Sequence, residues 1–214
     1  MVVMQAAVEI FEPFRRKLAQ RLALPLPGRA AQSRFEPEGA AGRHYVPSPT
    51  ARVAAVLVLL YLHEGEWYLP LTLRPETLPD HPGQISLPGG SVEATESLQQ
   101  AALRELDEEL GVPAEGIELV GLLSPLYVFG SNFLVNPLVG VLAGRPAWVP
   151  SPSEVAEVIE LPLKHLLDAS QHGTHTRLFD GATRSVPHIA WQEHRVWGAT
   201  SMILGELIAA VREL

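Results

Sequence analysis

Apolar positions along this chain repeat with two different periods. At Val8, Phe11, Phe14, Leu18 and Leu22 they recur every three or four residues between charged groups. That spacing predicts an amphipathic N-terminal helix over residues 5–22. Residues 25–50 then carry Pro25, Pro27, Gly28, Pro37, Gly39, Gly42, Pro47 and Pro49, and read as a wrapping loop rather than a second domain. From residue 52 the pattern changes. Residues 53–62 form an unbroken apolar run of strand length, and residues 67–74 form a second strand. His63-Glu64-Gly65-Glu66 supplies the hairpin turn between them.

A loop with Pro75, Pro79, Pro82 and Gly83 leads to a short strand ending at Pro88-Gly89-Gly90. Helical spacing returns over residues 95–110, with Thr95 as candidate cap and Gly111 as the stop. Further strands are expected near 117–128, 132–142 and 154–160, then a short helix near 162–168 and a hairpin across 174–190. A closing helix over 198–213 puts Ile203, Leu207, Ala210 and Val211 on one face. No internal repeat is present. Strands and helices mixed on one core predict an α/β layered domain over residues 51–214, with residues 1–50 as a helix and wrapping extension. The N-terminal helix has two docking options, its own domain or the partner subunit of a homodimer.

Charge singles out one of these elements. Residues 93–109 carry Glu93, Glu96, Glu105, Asp107, Glu108 and Glu109 against a single base, Arg104. Glu105, Glu108 and Glu109 stand at i, i+3 and i+4, on one helix face. Like charges at that spacing cost about 0.2–0.5 kcal/mol per pair. They also sit in the last turns, where the helix dipole favours cations. A bare E-x-x-E-E is compatible with a solvated acidic face. The glycines before this helix and the glycine after it favour a site instead, because Gly89-Gly90 lets backbone approach a metal or a phosphate. Clustered carboxylates suit hard divalent cations such as Mg²⁺ or Mn²⁺.

Composition narrows the chemistry. The 214 residues contain no cysteine, which excludes disulfides, cysteine nucleophiles and thiolate zinc sites. The net charge of −8 argues against nucleic acid as the main partner. No apolar run reaches membrane-spanning length, so no membrane span is expected. The N-terminus lacks the order of a signal peptide, which makes the cytoplasm the expected compartment.

Residues 90–112 resemble the Nudix box: a glycine, five residues, a glutamate, seven residues, then R-E-aliphatic-x-E-E-x-G-aliphatic. Gly90, Glu96, Arg104, Glu105, Leu106, Glu108, Glu109, Gly111 and Val112 fill every specified position at its spacing. The resemblance implies the Nudix α/β/α sandwich with a mixed sheet. It also implies a metal-dependent enzyme that hydrolyses a diphosphate bond. On that basis Glu108 and Glu109 are direct ligands of Mg²⁺ or Mn²⁺, and Glu105 is a ligand or orients the attacking water. The Gly89 carbonyl is a further ligand. Arg104 holds a catalytic glutamate through an ion pair, and Glu96, placed well around the helix from Glu105, supports. Metals neutralise the diphosphate and acidify a bound water. A carboxylate outside the box completes deprotonation; Glu154 is the favoured candidate, with Glu157 beside it. Asp107 is read as surface charge.

A second stretch resembles the motif that precedes the box in coenzyme A diphosphatases: Leu71-Thr72-Leu73-Arg74, then Leu78, His81, Gly83, Gln84 and Leu87-Pro88-Gly89-Gly90. Trp197-Gly198-Ala199-Thr200 is similar to the same branch. Two positions depart from it: Leu87 where an aromatic is common, and Pro75 after Arg74. This resemblance implies a coenzyme A-like substrate and the products 3′,5′-adenosine diphosphate and 4′-phosphopantetheine. Arg74 would meet a phosphate, His81 and Gln84 the pantetheine or nucleotide side, and Gly90 the substrate backbone-on. ADP-ribose, a dinucleoside polyphosphate or a nucleoside triphosphate are the alternatives. A silent binding module of the same fold is disfavoured because every box glutamate is present. Trp148, Trp191, Trp197, Tyr127 and Phe129 are read as packing residues before base-stacking ones. His165, His172, His175, His188 and His194 are read as surface or hairpin residues without metal-ligand spacing.

Overall fold

A computed structural model of the chain describes residues 2–40, 46–78, 81–179 and 181–214, with side chains from residue 9 onward. Gly42 of the wrapping segment, Pro79 of the loop and the Val8 side chain lie outside the described residues.

The 12-residue strand β1 (Arg52–His63) organises the molecule. Its apolar run alternates between two cores. Ala55, Leu57 and Leu59 point to one face, and Ala54, Val58, Leu60 and Leu62 to the other. Burial on both faces explains why the run is continuous rather than alternating with polar residues. β1 pairs in parallel with β7 (Phe133–Leu142) over its length, from Arg52↔Phe133 to Tyr61↔Leu142. Every other pairing in the sheet is antiparallel, so the sheet is mixed.

On β1's other edge, β2 (Glu66–Leu73) pairs only at Tyr61↔Tyr68, Leu62↔Trp67 and His63↔Glu66. It then diverges to β3 (Ile85–Ser86) and to β8 (Glu157–Pro162). The freed edge of β1 is taken by β4 (Gly89–Ser91). The helix α3 (Leu98–Leu110) packs Ala101, Ala102, Leu106 and Leu110 against the Leu57 face. On the opposite face lie α1 (Val2–Leu22) and the closing helix α5 (Ala199–Val211). The expected α/β/α layering is present.

The strand expected near 117–128 is two strands, β5 (Glu118–Leu122) and β6 (Leu126–Val128). The break holds Ser124, whose amide and hydroxyl both donate to Glu206 on α5. The hairpin is longer than expected, β9 (His172–Phe179) with β10 (Ala182–Trp191), and β11 (His194–Trp197) adds a third strand to it. The short helix α4 (Leu163–Leu167) precedes it. The cap of α3 is Ser97, not Thr95. Ser97 Oγ accepts from the Gln100 amide while Gln100 Oε1 accepts from the Ser97 amide, a reciprocal capping box that Thr95 does not form.

The N-terminal helix docks on its own chain. Phe11 and Phe14 stack on Trp67, and Leu18 and Leu22 enter the main core. Behind it, the one-turn helix α2 (Arg29–Gln32) is fastened to α5 by a fully buried carboxylate. Glu206 accepts hydrogen bonds from the Gly28 amide at 2.8 Å, Gln32 Nε2 at 3.1 Å, the Ser124 amide at 2.9 Å and Ser124 Oγ at 2.7 Å. The wrapping segment, the β5–β6 break and the last helix thus meet at one group.

Glu206→Ala leaves these buried donors without an acceptor. Each unsatisfied buried donor costs on the order of 1–3 kcal/mol, so unfolding free energy is expected to drop by about 3 kcal/mol or more. Urea unfolding of the variant checks this. A drop of less than about 1 kcal/mol would mean that the segment is held by apolar packing alone.

Candidate active site

The site is built on the C-terminal end of α3. Gly111 ends the helix in the left-handed region at φ 65°, and its amide closes on Asp107 O at 2.8 Å. A side chain there would also strike Val149. The last helical carbonyls need outside partners. The Val149 amide donates to Leu110 O at 2.8 Å, and the Ser151 amide to Glu109 O at 2.9 Å. The segment that satisfies the helix end is therefore fixed across it. The turn that follows, with Glu154 N donating to Ser151 O at 3.0 Å, brings Glu154 into the electrostatic neighbourhood of Glu105 and Glu109.

Arg104 spends its whole fork on this region. Nε and Nη2 hold Glu96 at 3.1 and 2.9 Å. Nη1 reaches Glu105 at 3.0 Å and Glu108 at 2.7 Å, and Nη2 also donates to Ser91 O at 3.2 Å. Planar guanidinium geometry makes such multiple engagement possible where lysine could not. Arg104 holds the Glu96 carboxyl below its usual range, and its own pKa is raised in return. Glu96 precedes the helix, so its place on the helical wheel is not what decides its role. It locks the arginine and accepts from the Glu93 amide at 2.7 Å.

Glu109 has a different environment. It is 4% exposed, and Oε2 has no hydrogen-bond partner. Burial first, then the charges of Glu105 and Glu154, push its carboxyl up to about 8. The Arg74 charge and the Gly89 amide oppose that rise without cancelling it. Glu105, half-buried, is also raised by burial, with Arg104 pulling the other way. Beneath them, a side chain on Gly89 would collide with the β1 backbone at Ala55 and Val56, and one on Gly90 with the Glu105 carboxylate. Glycine at both positions lets β4 lie flush on β1 under the acids.

The loop from β2 reaches the same place. The Gly83 amide donates to Arg74 O at 3.2 Å and the Arg74 amide to Gln84 O at 3.0 Å, closing the loop at its neck. His81 adopts a left-handed backbone at φ 56°, uncommon outside glycine and a mark of a constrained loop. Its Nδ1 lies 3.0 Å from Gln84 Oε1.

The structure thus gathers Glu105, Glu109, Glu154, Arg74, Gly89 and Gly90. Glu108 is exposed and turned to Arg104. Glu157 is turned away, paired with His194 Nε2 at 3.1 Å. Tyr127 is buried and donates to Asn132. Trp148 packs edge-on against Tyr61, and Trp191 meets His165. His188 is buried against His175 within the β9–β10 hairpin. The Ser91 carbonyl and residues 149–151 act through backbone and carry no pattern in the sequence, and the strand expected near 154–160 begins only at Glu157, which leaves Glu154 in the preceding turn.

The donor set fits a divalent cation. A buried carboxylate oxygen without a partner, flanked by two more carboxylates and raised by their repulsion, is the environment a hard cation relieves. Among the described residues no three such side chains converge closely enough to enclose an ion. Glu105 and Glu108 are instead drawn toward Arg104.

The family model described as NUDIX domain matches residues 51–180. The chain belongs to the Nudix family. It is 37% identical over 172 residues to an uncharacterized Nudix hydrolase NudL of Cronobacter sakazakii, covering 76% of this chain and 84% of the relative. It is 38% identical over 161 residues to the protein of that description from an Enterobacter species, covering 73% and 81%. Among solved structures it is similar to the MutT protein from Methanosarcina mazei, with TM-score 0.50 and 19% identity over 78% of this chain and 100% of the other. A MutT/nudix family protein from Enterococcus faecalis gives TM-score 0.50 and 17% identity over 88% and 76%. At such identities these two speak to the fold alone. The protein is a Nudix hydrolase, and the acidic helix α3 is part of its Nudix domain.

In this Nudix hydrolase the raised Glu109 carboxyl links pH to stability. Between the ordinary 4.5 and about 8, the folded metal-free chain keeps a proton that the unfolded chain has released. Stability is therefore full below the lower value and falls as pH rises through this window. Glu109→Gln removes that loss. In chelator, its melting temperature should decline less than that of the parent between about pH 5 and pH 8. Parallel declines for the two proteins would show that Glu109 titrates normally.

Proposed function

We propose that this Nudix hydrolase cleaves the diphosphate of coenzyme A or a derivative, releasing 3′,5′-adenosine diphosphate and 4′-phosphopantetheine. One observation carries the reading. The segment 151–156 ties the two motifs together, its Ser151 amide donating to Glu109 O at 2.9 Å and its Ala156 amide to Leu73 O at 2.8 Å, which supports one site for the acidic helix and the segment upstream of the box. In this reading Glu105, Glu108, Glu109 and the Gly89 carbonyl hold Mg²⁺ or Mn²⁺. A bound divalent cation would supply charge neutralisation for the diphosphate and acidify a water.

The chain's own groups do the rest. Glu154 takes the proton of the attacking water as its oxygen bonds to phosphorus, and the bridging P–O bond breaks with its electron pair leaving on the departing phosphate. Arg104 positions Glu105 and Glu108. Arg74 engages phosphoryl oxygens with its fork. Gly90 leaves room over the Glu105 carboxylate, and the His81–Gln84 pair meets the pantetheine or nucleotide side.

Incubation with Mg²⁺ or Mn²⁺ and, separately, coenzyme A, ADP-ribose and NADH tests the substrate. Rapid release of 3′,5′-adenosine diphosphate from coenzyme A, with the other two left largely intact, is expected. Preference for ADP-ribose overturns the coenzyme A reading and leaves the hydrolase. The two late glutamates separate the base from its neighbour. Glu154→Gln should lower kcat by about 100-fold or more, within the usual range for a lost general base, while Glu157→Gln should stay within about threefold of the parent. The reverse order would move the base to the strand.

A further inference from the structure

Beside the site loop lies a second cavity, of about 310 Å³, that the hydrolytic step does not use. Leu73, Gly83 and Ile85 form its wall toward the site. The three-stranded sheet forms the other, with His175, Arg177, Arg195 and Trp197 from its strands, and Glu193 and His194 from the turn into β11. The register explains the arrangement. Val186 stands opposite His175, Arg184 opposite Arg177, His188 opposite Trp197 and Ala190 opposite Arg195. Directly opposed residues share a face, so all four cavity residues project from one side of the sheet. Ile189 and Val196, of opposite parity, are buried in the main core.

The cavity wall carries two arginines against one carboxylate, Glu193, in a chain of net charge −8. The Arg177 guanidinium lies over the Trp197 ring, 4.1 Å from its centroid, which fixes its direction without neutralising it. Neither Arg177 nor Arg195 belongs to a salt bridge among the described residues. Glu157, the carboxylate at the adjoining end of β8, is taken by His194. His175 and His188 are both held below the ordinary histidine range, by burial first and then by their cationic neighbours. They therefore act as neutral donors or acceptors near pH 7. Arg177 on β9 and Arg195 on β11, the two strands that flank β10, line the same cavity, and guanidinium groups suit a dianionic phosphate.

Continuity with the reaction site comes through one residue. Leu73 and Gly83 line the cavity, and the Gly83 amide donates to the carbonyl of Arg74, the residue after Leu73, at 3.2 Å. A substrate whose diphosphate sits at Arg74 and the box glutamates can extend past the neck of the loop into this cavity. We propose that the Arg177–Arg195 cavity binds a phosphomonoester carried by the substrate away from the scissile diphosphate. Its assignment to the 3′-phosphate of coenzyme A rests on the reading above; the anion selectivity of the cavity does not.

Calorimetric binding in Mg²⁺ tests the two separately, with adenosine 3′,5′-bisphosphate and adenosine 5′-monophosphate as probes. The parent protein should bind the bisphosphate about tenfold more tightly, within the range of charge-assisted phosphate contacts. Arg177→Gln and Arg195→Gln, each on an exposed strand position, should each shrink that preference, and the double variant should erase it. Melting temperature and near-ultraviolet circular dichroism confirm the fold of each variant. Equal affinities in the parent, no measurable bisphosphate binding, or a preference that survives in both folded single variants overturns the proposal. If coenzyme A is not hydrolysed yet the arginine-dependent preference is present, the coenzyme A reading falls and the cavity stands. If coenzyme A is hydrolysed without that preference, the cavity assignment falls and the reading stands.

Discussion

The separation of β2 from β1 is the constraint on which the site depends. The two strands pair for only three residues beyond their hairpin and then part. Buried backbone donors and acceptors left along β1 must be satisfied, since each orphan would cost about as much as a lost hydrogen bond. Gly89–Ser91 satisfies them at Ala54–Val56, and the Leu57 amide closes on Pro88 O. This insertion is possible only because nothing projects from residues 89 and 90. It sets the start of the acidic segment on the middle of the sheet, where the Ser91 carbonyl can receive Arg104. The departing β2 carries Arg74 around the other side of the same opening.

Electrostatics then divides the acids into two populations. Those within reach of Arg104 are restrained: Glu96 by a two-pronged contact, Glu105 and Glu108 by one donor shared between them. Glu109 lies beyond that fork. It faces Glu105 and Glu154 with only Arg74 and an amide in opposition. The helix dipole adds to the cost, because no basic residue occupies the last turn of α3. A sequence selected for stability alone would place a cation there. The strain is local and is matched by unusually complete capping at both helix ends, by Ser97 and Gln100 at one and by Gly111 and the 149–151 amides at the other.

What could be read from the sequence follows from how each feature is encoded. Periodicity announced β1, β7, α3 and α5, because burial repeats at fixed intervals in each. The box spacing located Glu105, Glu108 and Glu109 on one helix face. Features made by backbone or by long-range pairing were not legible. The division of 117–128 follows from Ser124 reaching a carboxylate 82 positions away. The third strand β11 is four residues long and has no periodic signal of its own. Glu96 falls outside the helix because the capping box at Ser97 starts it two residues later than a Thr95 cap would. The difference between Glu154 and Glu157, neighbours in sequence, lies in which partner each meets, a turn against the helix end for one and His194 for the other.

Glu206 and Glu109 show why burial alone does not identify a functional acid. Both are glutamates on 13-residue helices, both are almost wholly removed from water, and both carry the same desolvation cost in principle. Glu206 is surrounded by donors from two separated segments, residues 28–32 and Ser124, so its oxygens are satisfied inside the fold and its work is to hold the fold together. Glu109 has an oxygen with no donor and two acidic neighbours, so the fold leaves its cost unmet. A buried oxygen of that kind, with glycines cleared beneath it and acidic neighbours beside it, is the environment a hard cation relieves. The accounting of hydrogen-bond partners, applied residue by residue, separates an acid satisfied inside the fold from one that is not.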